Sequence, residues 1–206
     1  MHTTVMTNWR DKFGGEPVLR PAQGGLYCEA GDVWIDPVEP VETAVVEYGE
    51  QLEFGEATVS LHPAGHMLGS AQVRVEVDDE VWVVSGDYKR RDDPTCAEFE
   101  LVECDVFVTE STFGLPIYRW PSSRQVASRI IEWWKEGKRQ GRPSVLFCYA
   151  AGKAQRLLAL LEEYTDREVL IHGAMVDFVE IYREAGVEMP PTRYVTELDE
   201  RTDFAG

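Results

Sequence analysis

Histidine is scarce in this chain, with four in 206 residues, at His2, His62, His66 and His172. Cysteine is as thin: Cys28, Cys96, Cys104 and Cys148 are scattered and form no C-x-x-C pair. That spacing excludes a zinc ribbon or a disulfide framework, and the thiols read as reduced and buried, as in a cytoplasmic protein. Positive charge is under-represented, 20 Lys and Arg against 37 Asp and Glu, for a net charge of −17. Such a surface repels a phosphate backbone unless its basic residues are gathered locally; it otherwise reads as general solubility or as adaptation to high salt. No apolar run approaches the roughly 20 residues of a membrane span. The opening Met1-His2-Thr3-Thr4 has neither a basic nor an apolar signal region, so no secretory leader is expected and the reading is cytoplasmic, with no membrane partner.

What is present is the material of a packed protein, 44% hydrophobic with six tryptophans. Residues 1–16 are polar and irregular and read as a tail. From Leu26 onward the pattern is one of short strands. Asp32-Val33-Trp34-Ile35-Asp36 ends at Pro37, and Ala44-Val45-Val46 is a short apolar run. Gln51-Leu52-Glu53-Phe54 and Ala57-Thr58-Val59-Ser60-Leu61 flank a Gly55-Glu56 turn. Residues 72–77 alternate, turn at Asp78-Asp79 and return through Val81-Trp82-Val83-Val84. Val106-Phe107-Val108 is a further buried strand.

After residue 115 the pattern changes. Pro121-Ser122-Ser123 caps a helix to about Gly137, with Val126, Ile130 and Trp134 on one face. Ser144-Val145-Leu146-Phe147-Cys148 reads as a buried strand and residues 153–164 as a helix. Val169-Leu170-Ile171 reads as a strand, and residues 176–185 as a helix closed by Gly186. A β-rich first part and an alternating second part make the chain α/β, with a parallel sheet in the second part.

Several residues are placed to carry chemistry. His66 lies in a turn between Gly65 and Gly69, where glycine lets the backbone take positive φ and lets a ligand approach. Asp87 and Glu110 each follow an apolar strand, where α/β proteins collect functional groups, and Asp36 also ends a strand. Each has a plainer reading as well: a structural histidine for His66, an Asx turn for Asp87, a turn residue for Asp36 and a turn cap for Glu110. His62 and His172 read as structural. Two basic stretches, Lys89-Arg90-Arg91 and Tyr118-Arg119-Trp120, are nucleic-acid contacts in one reading, a solvated turn and a structural aromatic pair in the other.

Taken together, Asp36, A-G-H-x-L-G-S-A around His66, S-G-D at Asp87, T-E-S-T-F-G at Glu110 and the later A-A-G-K-A-Q at residues 150–155 resemble the β-CASP branch of the metallo-β-lactamase superfamily. The fuller wording L-H-P-A-G-H-x-L-G-S-A-Q-V, V-S-G-D-Y-K and F-x-T-E-S-T-F-G-L-P-I-Y-R-W-P is similar to that of prokaryotic ligase-associated DNA exonucleases, also labelled messenger-RNA 3′-end processing-like factors. The resemblance runs from about Pro17 to the end. It implies a metallo-β-lactamase αββα sandwich over residues 17–114, incomplete here, and an inserted, truncated β-CASP domain over residues 115–206. It also implies two zinc ions sharing a hydroxide nucleophile and clamping a scissile phosphate. His66 then corresponds to a zinc ligand and Asp87 to the carboxylate bridging both metals. Asp36 supports the site from behind, and Glu110 marks the start of the inserted domain. The implied substrate is DNA or RNA, with DNA ligase or helicase repair proteins as partners.

The sequence departs from that family in two respects. The motif H-x-H-x-D-H, expected between Ala44-Val45-Val46 and Tyr48, is absent, and Val46 runs directly into Glu47-Tyr48-Gly49. Further family histidines belong beyond the last residue. The expectation is a chain of a zinc-dependent nuclease family that is inactive by itself; the alternatives are a non-catalytic nucleic-acid or repair-partner binding protein, or a thioester or lactone hydrolase.

Overall fold

The computed structural model describes residues 18–22, 25–30, 33–35 and 47–197. The tail at 1–16, the strand at Ala44-Val45-Val46 and the candidate residue Asp36 lie outside the described residues. The chain divides into two compact units, Met1–Asp92 with Ala97–Thr112, and Asp93–Cys96 with Phe113–Gly206. Strands and helices are both present, and the protein is α/β.

The first unit carries two sheets. Strands β1 (Arg20–Ala22), β2 (Gly25–Cys28) and β3 (Val33–Ile35) form an antiparallel meander. Strands β4 (Gln51–Phe54), β5 (Ala57–Pro63), β6 (Ala71–Val77), β7 (Glu80–Ser85) and β8 (Val106–Thr109) lie side by side in chain order. The first three pairings of this sheet are antiparallel and the last is parallel. Both expected hairpins form: β4 and β5 turn through Gly55 at φ 59°, and β6 and β7 through Asp78 at φ 52°. Aspartate is among the few side chains that tolerate this left-handed conformation. The core of the unit joins Leu19, Cys28, Ala57, Val59, Val75 and Trp82. Trp82 is 2% exposed, and its indole N–H donates to Glu80 Oε1 at 2.6 Å, so the ring is buried without an orphaned donor.

The second unit alternates helix and strand. Helix α1 (Ser123–Arg139) opens with a capping box: Ser122 Oγ accepts from the Gln125 amide, while the Gln125 side chain accepts from the Ser122 amide. Its inward stripe is centred on Ala127 and Ile131, with Val126, Ile130 and Trp134 half-buried beside them. Helix α2 (Lys153–Glu162) follows Gly152 at φ 73°, and fully buried Gln155 donates back to the Ala150 carbonyl at 2.8 Å. Arg156 ties the unit together, reaching Asp93 at 3.3 Å and Ser123 Oγ at 2.9 Å. Strand β9 (Val169–Ile171) pairs in parallel with β10 (Thr192–Tyr194), and α3 (Val176–Glu184) crosses between them. Leu158, Ile171 and Val179 form the core.

One expected element does not form. Residues 144–148 are not a strand, and Val145, Leu146 and Phe147 are exposed, Phe147 by 94%. Strands β9 and β10 pair with each other, and no described strand pairs with this run, so its apolar side chains have no layer to enter. Strands β1 and β10 were not anticipated.

Candidate active site

Strand direction places the candidate residues together. Since β5 and β7 both run antiparallel to β6, and β8 runs parallel to β7, the C-terminal ends of β5, β7 and β8 share one edge of the sheet. The register aligns them: Pro63 sits beside Ala71, Gln72 beside Ser85, and Ser85 beside Thr109. The turns that leave this edge carry His66, Asp87 and Glu110.

The turn bearing His66 is held at many points. Ser70 Oγ accepts from the amides of His66 and Met67, each at 3.1 Å. The Ala64 amide donates to the Ser70 carbonyl, and the Lys89 amide donates to the Ala64 carbonyl at 2.9 Å. Gln72, 1% exposed, donates from Nε2 to the carbonyls of Pro63 and Glu100, stitching the strand end to a segment far along the chain. Gly65 sits at φ 69°, and a Cβ there would lie 2.3 Å from the Lys89 carbonyl oxygen. Only glycine allows the two backbone segments this approach.

On this base, His66 Nε2 lies 3.5 Å from Asp87 Oδ2, and both side chains are substantially exposed. Glu110 Oε2 accepts from the Thr112 amide at 2.6 Å. Hydrogen bonds from the Thr112 side chain and amide hold the Glu110 carboxyl below its ordinary range, with a smaller contribution from His66. At neutral pH Glu110 is therefore an anion, suited to orienting an imidazole or a cation and not to donating a proton.

The other histidines are engaged elsewhere. His62 uses both ring nitrogens, Nε2 with Ser60 Oγ at 2.9 Å and Nδ1 with Glu100 Oε1 at 2.8 Å. His172 Nδ1 accepts from the Ala174 amide and caps a short 3-10 turn. Burial pushes the Cys104 thiol up, with Asp105 adding to it, and burial also raises Cys148 against a lowering by Lys153. The residues that sequence reasoning missed are Ser70, Gln72 and Glu100, which position the site without facing it. Of these only Ser70, four residues after His66, left a local signal, that of a hydroxyl closing its own turn.

No family model matches the chain. Curated proteins do match. A probable DNA ligase of Opitutus terrae is 34% identical over 136 residues, 66% of this chain and 13% of that protein. An RNase J-like protein of Methanocaldococcus jannaschii is 28% identical over 58% of this chain and 30% of its own length. Cleavage and polyadenylation specificity factor 73 of Drosophila melanogaster is 29% identical over 71% of this chain and 21% of its own. The chain belongs to the β-CASP branch of the metallo-β-lactamase superfamily. It spans less than a third of the length of each of these relatives. Among solved structures, a protein of unknown function from Enterococcus faecalis V583 covers 82% of this chain and 44% of its own. Its 15% identity and TM-score of 0.48 are too distant to bear on the site.

A β-CASP protein with two zinc ions needs about four donors at each metal. Here the site supplies His66 and Asp87, and no group of three or more His, Cys, Asp or Glu able to hold a metal stands together among the described residues. The donor set does not fit the two-zinc centre. No described helix is long and apolar enough to cross a membrane.

Proposed function

We propose that this chain belongs to a zinc-dependent nuclease of the ligase-associated DNA exonuclease kind and is catalytically incomplete by itself. In this reading residues 17–114 are an incomplete metallo-β-lactamase sandwich and residues 115–206 part of the β-CASP insertion. His66 is a ligand of one zinc and Asp87 the shared carboxylate, with Glu110 and Asp36 supporting them. The observation that carries the reading is the pairing of His66 with Asp87 at 3.5 Å, on an edge where the described residues supply no group of three or more metal-ligating side chains. Two ligands of one metal site are retained, and the chemistry that would require a hydroxide held between two metals is not. The motif wording and a relative named for DNA ligase support the DNA substrate and the repair-protein partners, and the RNase J-like relative supports a nucleic-acid substrate more broadly.

The test is cleavage of a 3′-tailed DNA by the purified 206-residue chain in excess zinc, with and without chelator. The expected result is no chelator-sensitive cleavage above a protein-free control. Robust cleavage abolished by chelator overturns the incompleteness. A second reading, a non-catalytic nucleic-acid binding protein, is favoured by the exposed aromatic and arginine residues that follow Thr112.

A further inference from the structure

Residues 111–131 contain three arginines, Arg119, Arg124 and Arg129, and no Asp or Glu, in a chain whose net charge is −17. Twenty-one consecutive residues without a carboxylate are a local reversal of charge, of the kind a phosphate backbone requires of an acidic protein. All three arginines are exposed, and none forms an ion pair among the described residues.

The same stretch carries an aromatic cluster. Phe113 meets Tyr118 at 5.1 Å and 83°, and Trp120 at 5.3 Å and 89°, between ring centroids. The three rings are 56%, 42% and 58% exposed. An edge-to-face contact fixes ring orientation and covers one ring face, where a parallel stack would cover two. A turn in which the Tyr118 amide donates to the Leu115 carbonyl at 3.2 Å, and the capping box of α1, hold the loop at both ends. Partly exposed rings beside guanidinium groups that form no ion pair among the described residues combine stacking surface with phosphate contacts, the combination that binds single strands with little sequence preference. An apolar protein partner would not call for the local positive charge.

We propose that residues 113–124 form a binding platform for single-stranded nucleic acid. Bases stack on Phe113, Tyr118 and Trp120, and Arg119 and Arg124 hold phosphates. The proposal rests on the reading that the ligand is a nucleic acid, and it requires neither metal nor cleavage.

Fluorescence anisotropy of the full 206-residue chain in EDTA tests it, with fluorescein-labelled oligothymidylate and oligouridylate and a duplex as probes. The expected result is binding of one or both single strands in preference to duplex, the stronger of the two identifying the DNA or RNA source. Combining Tyr118→Ala with Trp120→Ala weakens it at least about tenfold, as loss of two stacked bases requires. Arg119→Gln with Arg124→Gln weakens it independently and reduces the slope of log K against log salt by about 1.4, as two lost phosphate contacts predict. Trp133→Ala, an exposed tryptophan on α1, leaves it unchanged. Absence of binding at low salt, or binding that neither double variant alters, overturns the platform. Zinc-dependent cleavage would instead overturn the incompleteness proposed above and leave the platform standing.

Discussion

Replacing Trp82 with alanine is expected to destabilise the first unit by about 3–5 kcal/mol, the range for deleting a buried tryptophan. The ring is 2% exposed and sits on β7 at the centre of the only core this unit shows among the described residues, packed with Ala57, Val59 and Val75. A buried aromatic side chain removes roughly 150–250 Å² from water, which at about 25 cal/mol per Å² gives a transfer free energy of similar size. The cluster that holds it is built mostly of alanine and valine, with Leu19 and Phe54 the larger members, so little side-chain volume is at hand to refill the void. Glu80 also loses the indole donor at 2.6 Å. Trp82→Phe keeps most of the volume and should recover most of the loss. Urea unfolding followed by far-UV circular dichroism reads both variants; a change below about 1 kcal/mol for Trp82→Ala would show that this core is not packed as described.

Gly65→Ala is the second large effect, expected at about 2–5 kcal/mol. Holding an L-residue at φ 69° costs roughly 1–2 kcal/mol. The added Cβ also meets the Lys89 carbonyl oxygen at 2.3 Å and the Phe99 amide nitrogen at 2.9 Å, both backbone atoms, so the turn and the segment beyond β7 must separate. Overpacking of that kind adds about 1–3 kcal/mol. Gly69 is the internal control. It has the same hand, at φ 77°, but open space where a Cβ would go, so Gly69→Ala should cost only the conformational part, about 1–2 kcal/mol. Equal losses in the two variants by urea unfolding would contradict the close approach at Gly65. The consequence for the site is direct, since Gly65 precedes the histidine that faces Asp87.

These two residues also show where the sequence was readable. Gly65 and Gly69 could be singled out because a framed histidine leaves a local mark, and Asp87 and Glu110 because strand ends are local as well. That the two acidic groups and the imidazole share one edge follows from strand direction, of which the β4–β5 and β6–β7 hairpins are marked by local turns and the parallel β7–β8 pairing is not. The supports could not be read in advance. Gln72 reaches Glu100 across 28 residues, and His62 reaches Glu100 across 38, and no local pattern carries pairings at that distance. The run Val145-Leu146-Phe147 illustrates the opposite failure. A short apolar segment looks the same whether or not a neighbouring strand exists to cover it. The helices fared best because caps and periodicity are written within them: Ser122 with Gln125, and Gly186 at φ 86° after α3.

The central proposal is that this chain keeps two ligands of a two-metal centre and, among the described residues, lacks the donors to complete it. Zinc content per chain, by elemental analysis after purification in zinc-supplemented buffer and exhaustive dialysis, tests it most directly. With no group of three or more His, Cys, Asp or Glu able to hold a metal among the described residues, binding is expected to be weak, and zinc should fall well below one ion per chain. One or two zinc ions surviving dialysis, and lost on His66→Ala, would contradict the account and restore a working metal centre to this chain.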